Sequence, residues 1–158
     1  MKTQRPPFAV VFAVVALAVG AALLWHFTRP RPTDEQRLYS LITKAQEAAE
    51  NHNIAGLTRL ISRAYHDRTG NDKRQMNALI MGWLQGAPPL KVVPTVAGLK
   101  VNGAAADMQL KIRYWAGDPN SAGDEFGMAL RLQKERGEWK ITSAEGWEQE
   151  PGKVMGGE

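Results

Sequence analysis

The chain has 158 residues, 23% of them charged, and a formal net charge of +4 at pH 7. It contains no cysteine, which excludes disulfides, cysteine nucleophiles and thiolate metal sites. Nucleic-acid binding is not indicated, because the four excess basic side chains all precede residue 33 and no basic stripe follows.

Residues 8–27, FAVVFAVVALAVGAALLWHF, predict a transmembrane anchor. A 20-residue helix spans about 30 Å, the thickness of the hydrocarbon core of a bilayer. A cleaved signal peptide is the competing interpretation, because Ala18-Val19-Gly20 and Gly20-Ala21-Ala22 each fit a small-x-small cleavage site. The apolar run continues to Trp25 and Phe27, which favours the uncleaved anchor.

The flanking residues indicate an orientation and a division into segments. Lys2 and Arg5 lie in a short leader, residues 1–7, and favour a cytoplasmic amino terminus. The globular domain is then expected on the periplasmic or extracytoplasmic side of the inner membrane. The remaining segments are a linker at residues 28–33, the domain at residues 34–148 and a frayed tail at residues 149–158.

Helical patterns fill the first half of the domain. Thr33 and Gln36 form a capping box, and Asn53 and Asp72 predict two further helix starts. The first helix is expected to end near Glu50. The apolar positions at helical spacing are Leu38, Leu41, Ile42, Ala45, Ala48 and Ala49; then Leu57, Leu60, Ile61 and Ala64; then Met76, Leu79, Ile80, Trp83 and Leu84.

From Leu90 the apolar period changes to two, which predicts strands. Asn102-Gly103 is a strong hairpin signal, and Pro94 indicates an edge or bulged position in the strand before it. The positions predicted for the inner face are Met108, Leu110, Ile112 and Tyr114; Phe126, Met128, Leu130 and Leu132; and Trp139, Ile141, Ser143, Glu145 and Trp147. The order predicts an α+β fold: three N-terminal helices packed on a curved antiparallel sheet of about four strands, preceded by one transmembrane helix.

This element order, with LISRAYHDRTG at residues 60–70 and GEWKITSAEGWE at residues 137–148, resembles the nuclear-transport-factor-2-like superfamily. That cone-shaped, cystatin-like fold is shared by ketosteroid isomerases, scytalone dehydratase, polyketide cyclases and many binding or assembly domains. The resemblance covers about residues 33–148. It implies that Tyr65, His66 and Asp67 lie at the mouth of the cone, but a shared fold does not determine function.

Two acids are candidates for catalysis. His66 and Asp67 are neighbours in an extended segment and point in opposite directions, so they form a poor dyad. The alternative for Asp67 is a turn at a helix exit. Glu145 is the only acid with inner parity, so it is the candidate general acid or base of a buried site, or else a solvated residue at the sheet rim.

A ligand pocket and a filled core are both compatible with the aromatic residues of the domain. The candidate pocket residues are Tyr39, Tyr65, Asp67, Trp83, Tyr114, Glu145 and Trp147. No pair of histidines has metal-ligand spacing, so neither a metal nor another cofactor is predicted.

The last candidate site is a protein interface. Trp115 and Arg113 have outer parity on one strand, and both residue types are enriched at interface hot spots. The sequence therefore predicts a membrane-anchored, non-catalytic binding or assembly domain, whose partner is a second copy or another envelope protein. The alternative is an isomerase- or dehydratase-like enzyme that binds a small apolar ligand in the cone.

Overall fold

The computed structural model describes residues 17–20, 31–118 and 120–147, and the chain divides into two compact units, residues 1–32 and 33–158. In the first unit, residues 17–20 are helical. None of the helices in these described ranges is long and apolar enough to cross a membrane. Of the predicted span, only residues 17–20 are described, and the predicted leader and tail lie outside the described residues.

Three helices open the second unit: α1 (Asp34–Glu50), α2 (Ile54–Leu60) and α3 (Lys73–Leu84). The predicted helix starts are confirmed, because each has a side-chain cap. The Thr33 hydroxyl accepts a hydrogen bond from the Gln36 backbone N–H, and the Gln36 side chain accepts one from the Thr33 N–H. Asp72 and Gln75 form the same capping box on α3, and Asn53 caps α2.

Helix α2 is shorter than the sequence predicts. The apolar spacing predicts Ile61 and Ala64 on its apolar face, but both lie beyond its last residue, Leu60. Ile61 instead forms a parallel bridge with Ile141 of the sheet, and the neighbouring backbone N–H of residue 62 donates to the Ile141 carbonyl at 2.9 Å. The helix ends here because the Ile141 carbonyl at the sheet edge accepts the backbone N–H that would bond to a carbonyl of α2 if the helix continued.

Four antiparallel strands form one sheet in the order β1-β2-β3-β4: β1 (Leu90–Asn102), β2 (Ala105–Ala116), β3 (Asp124–Glu135) and β4 (Glu138–Glu145). Pro94 lies in β1, which is an edge strand as predicted. The predicted hairpin between β1 and β2 is also confirmed. Gly103 has a φ of 59°, a left-handed conformation that glycine adopts without steric cost.

The helices cover one face of the sheet, which we call the inner face, and the opposite face is the outer face. The main core lies between α1 and the inner face and contains Leu38, Leu41, Ile42, Ala106, Met108, Leu110, Leu130, Leu132 and Trp139. A second cluster contains Ile61, Tyr65 and Met76. Ile141 and Ala144 contact both clusters, so β4 connects the two parts of the core.

Candidate functional site

Strand β4 contains a β-bulge that shifts its pairing with β3. Leu132 pairs with Ile141, but Arg131, the preceding residue of β3, pairs with Ser143. Thr142 is therefore the extra residue of the bulge. Its hydroxyl donates a hydrogen bond to the Arg131 carbonyl at 3.1 Å, which holds the bulge against β3.

The bulge changes the face on which the end of β4 presents its side chains. Side chains alternate between faces in a regular strand, so each side chain after the extra residue lies on the face opposite to the one that unbroken alternation from Ile141 predicts. Ala144 packs against the core, whereas Glu145 pairs with Ala129, which is exposed on the outer face. The expectation that Ser143 and Glu145 share the inner face with Ile141 is therefore wrong, because the sequence pattern does not reveal the extra residue.

A groove with a volume of about 410 Å³ lies on the outer face, and we call it the outer groove. Its floor includes Ala129 of β3, whose methyl group is too small to fill the space above the strand, and Gly98 of β1, which has no side chain and lies beside the Gln109 side chain. The polar residues that line it are Lys100, Asp107, Gln109, Arg131, Ser143 and Glu145. The groove therefore touches all four strands and lies on the side of the sheet away from the helices.

The charged side chains of the outer groove have no partner among the described residues. Within the part of the chain that the structure describes, the side chains of Lys100, Asp107, Arg131 and Glu145 make no hydrogen bond or ion pair. Ser143 is 9% exposed, and its hydroxyl has no hydrogen-bond partner among the same residues. Two cations, two anions and a nearly buried hydroxyl are thus free to bind a ligand.

Sequence reasoning missed most of this groove. The alternation in β2 predicts the outer parity of Asp107 and Gln109, but it does not predict how residues align across the strands. Two bulges set that alignment, one between Val96 and Gly98 and one at Thr142. The small side chains at outer positions of β1 and β3 are the only sequence signal that would have indicated a depression here.

Asp67 lies in a closed hydrogen-bonding site rather than in a cavity. Its side chain is 3% exposed and accepts five hydrogen bonds, from the Tyr65 hydroxyl and from the backbone and side chains of Thr69 and Asn71. Burial by itself raises the pKa of this carboxyl group, but the hydrogen bonds outweigh burial and lower the pKa below its ordinary value. This arrangement matches the turn at a helix exit that was the alternative to catalysis.

The segment Tyr65-His66-Asp67 joins α2 to α3 along the free edge of β4. The His66 backbone N–H donates to the Thr142 carbonyl at 3.0 Å, and His66 also bridges Asp72 at the start of α3. Tyr65 is 3% exposed and packs in the second core cluster. The segment therefore pairs with the bulge of β4, and the side chains of Tyr65 and Asp67 are used for packing and for the turn, whereas His66 is exposed.

The aromatic pocket candidates do not converge on one cavity. Trp83 is 52% exposed, and its ring contacts that of Trp147 edge to face, with ring centroids 5.4 Å apart. Tyr114 pairs instead with Phe126, with ring centroids 5.9 Å apart. Tyr39 is 50% exposed on α1. These residues form separate contacts along the domain.

The interface candidates Arg113 and Trp115 also have partners within the domain. Arg113 forms an ion pair with Glu125 at 3.0 Å. The Trp115 indole N–H donates to the Ser121 carbonyl at 3.0 Å, and a Cβ atom added at Gly123 would lie 2.7 Å from the indole ring. Trp115 therefore anchors the loop between β2 and β3.

Comparison with solved structures identifies the fold. A cystatin-like protein of unknown function from Nostoc punctiforme has a TM-score of 0.60 at 13% identity, covering 70% of this chain and 87% of that chain. A protein from Cytophaga hutchinsonii has a TM-score of 0.58 at 15% identity, with 72% and 96% covered, and is described as NTF2-like. The fold is nuclear-transport-factor-2-like. A similar protein of unknown function from Shewanella oneidensis has a TM-score of 0.60 at 12% identity, with 71% and 97% covered.

No protein-family model and no curated protein sequence matches the chain. At these identities the structural likeness establishes the nuclear-transport-factor-2-like fold of the domain and no activity.

Proposed function

We propose that this chain is a non-catalytic binding or assembly domain that contacts its partner through the outer groove. Residues 8–27 anchor it in the membrane, and the domain lies on the extracytoplasmic side. The observation that carries the proposal is the set of charged side chains around the groove, of both signs, without partners among the described residues. Binding sites commonly present a few convergent polar groups in a concavity, and this groove provides them.

The alternative, an isomerase- or dehydratase-like enzyme, needs an acid that faces a ligand in the cone. Asp67 directs its carboxylate into a turn that already supplies five hydrogen bonds. Glu145 lies on the outer face because of the bulge at Thr142. Neither candidate acid is placed for chemistry on a ligand in the cone, and this favours binding over catalysis.

A photo-crosslinking amino acid at Gln109, in the centre of the outer groove, tests the binding role in membranes of the cells that produce the protein. The matched control carries the same amino acid at Ser40, an exposed position of α1. We expect an adduct from position 109 and none from position 40. An adduct with a second copy or with another protein supports the proposal, and equal labelling from both positions, or none from position 109, contradicts it.

Membrane anchoring has a separate test. The full-length chain should sediment with membranes and resist extraction at alkaline pH, because about 20 apolar residues span a bilayer. Protease added outside the intact cytoplasmic membrane should digest the domain. A deletion of residues 1–27 should release the protein into the soluble fraction; extraction of the full-length chain at alkaline pH would contradict the anchor.

A further inference from the structure

The outer groove presents one charged side chain from each strand, in alternating sign. Lys100 lies on β1, Asp107 on β2, Arg131 on β3 and Glu145 on β4. Lys100, Asp107 and Arg131 are direct neighbours in the strand register, and Glu145 belongs to the adjacent row. Neighbouring strands lie about 4.8 Å apart, so the first and last of these four strands are separated by about 14 Å.

The two ends of the groove differ in charge. The β1 end presents Lys100 above Gly98, while the β4 end presents Glu145 and the hydroxyl of Ser143. Ser143 is nine-tenths buried, lines the groove and lacks a hydrogen-bond partner in the described part of the chain. Among the described residues, the buried side-chain atoms without a hydrogen-bond partner are His52 Nε2 and Asn77 Oδ1, so the Ser143 oxygen is still accessible from the groove and can bind a ligand group.

The charge pattern excludes several kinds of ligand. Asp107 and Glu145 repel a polyanion, and Lys100 and Arg131 repel a polycation. An apolar ligand would remove water from all four charged groups without replacing their hydrogen bonds, which is unfavourable. None of the described residues that line the groove is aromatic, so they provide no stacking platform for a flat ring.

From this complementarity we infer that the outer groove binds a short zwitterionic peptide of about four residues in an extended conformation, since about 3.3 Å per residue fills the 14 Å between the outer strands. The peptide ammonium group binds Glu145 and the Ser143 hydroxyl, and the terminal carboxylate binds Lys100. Between these two ends, Asp107 accepts hydrogen bonds from N–H groups of the peptide backbone, and Arg131 donates hydrogen bonds to its C=O groups. The inference rests on the proposed function and specifies the chemistry of the partner.

Calorimetric titration of the full-length protein in detergent with tetraalanine tests the inference. One variant alters the groove and one serves as its control: Ala129→Leu fills the floor of the groove, and Gln133→Leu adds the same side chain on the same strand and face but outside the groove. Both positions are exposed, so the domain should fold in both variants. We expect Ala129→Leu to weaken binding at least tenfold and Gln133→Leu to leave it unchanged.

Blocked peptides assign the two ends. Acetylation of the amino terminus should weaken binding to the wild-type protein about tenfold, as expected for loss of a charge-assisted hydrogen bond, and should have little effect in Glu145→Gln. Amidation of the carboxyl terminus should behave in the same way, with Lys100→Gln as the insensitive variant. Equal binding of free and doubly blocked peptides would overturn the inference.

The outcomes separate this inference from the proposed function. Absence of binding up to about 10 mM tetraalanine overturns the inference, because it leaves at most a negligible affinity. If the crosslinker at Gln109 then captures a second copy or a folded protein, the proposed function stands with a different partner. If neither the peptide nor the crosslinker reports contact, both proposals fail.

Discussion

Replacing Asp67 by alanine tests whether this carboxylate is structural. The change removes all five hydrogen bonds that the side chain accepts and leaves the backbone N–H groups of Thr69 and Asn71 without that acceptor. A single intramolecular hydrogen bond contributes about 1 kcal/mol, more when one partner is charged, but donors near the surface regain water. We therefore expect the free energy of unfolding to fall by about 2–4 kcal/mol.

Residues 33–158 form a compact unit with its own core, so urea unfolding of that fragment, followed by far-UV circular dichroism, is a suitable assay. For a domain of this size the loss corresponds to a fall in Tm of roughly 10 °C. Asp107→Ala is the matched control, because Asp107 is exposed and makes no hydrogen bond or ion pair with any described residue. If the free energy of unfolding falls by less than about 1 kcal/mol in both variants, the hypothesis that the Asp67 carboxylate stabilises the fold is refuted.

The remaining predictions concern acid stability, the core and the loop between β2 and β3. Hydrogen bonding lowers the pKa of Asp67 below its ordinary value of 3.8, so the ionised side chain stabilises the fold above that pH and this stabilisation is lost as the pH falls further. In urea unfolding from pH 5 to 2, the free energy of unfolding should therefore fall less in Asp67→Ala than in the wild-type protein. Parallel curves for the two proteins would contradict this. Met108→Ala should lower the free energy of unfolding by about 2–5 kcal/mol, because the Met108 side chain is buried, whereas Gln109→Ala should lower it by under about 0.5 kcal/mol, because Gln109 is exposed. Equal effects of the two substitutions would refute the assigned faces of β2. Trp115→Ala should speed cleavage of residues 117–123 by an Asp-specific protease several-fold, and an unchanged rate would show that Trp115 does not anchor this loop.

The sequence predicted what depends on local chemistry. Capping residues such as Thr33 and Asp72 act within one turn, so they predicted helix starts correctly. The alternation in β2 and β3 also predicted which side chains are buried, because Met108, Leu110, Leu130 and Leu132 of the inner rows all lie in the main core. Asn102-Gly103 gave the hairpin because its turn geometry is intrinsic to those residues.

The candidate site was predicted poorly because it depends on contacts between distant segments. The face of Glu145 is set by the bulge at Thr142, whose carbonyl accepts a hydrogen bond from His66. Trp83 has helical spacing with the apolar face of α3 but lies half exposed against Trp147. Neither relation has a signature within a short stretch of sequence.

The bulge at Thr142 also gives the end of β4 a second conceivable register. If the strand were straight, Thr142 would pair with Arg131, and the side chains of Ser143 and Glu145 would turn towards the core while Ala144 would turn outwards. A one-residue slip of this strand end is thus enough to transfer a carboxylate between the solvent face of this sheet and the interior of the cone without any change of sequence. Among domains of this fold, the presence or absence of a bulge at this point would then separate surface binders from proteins with an internal acid more sharply than residue identity at any one position.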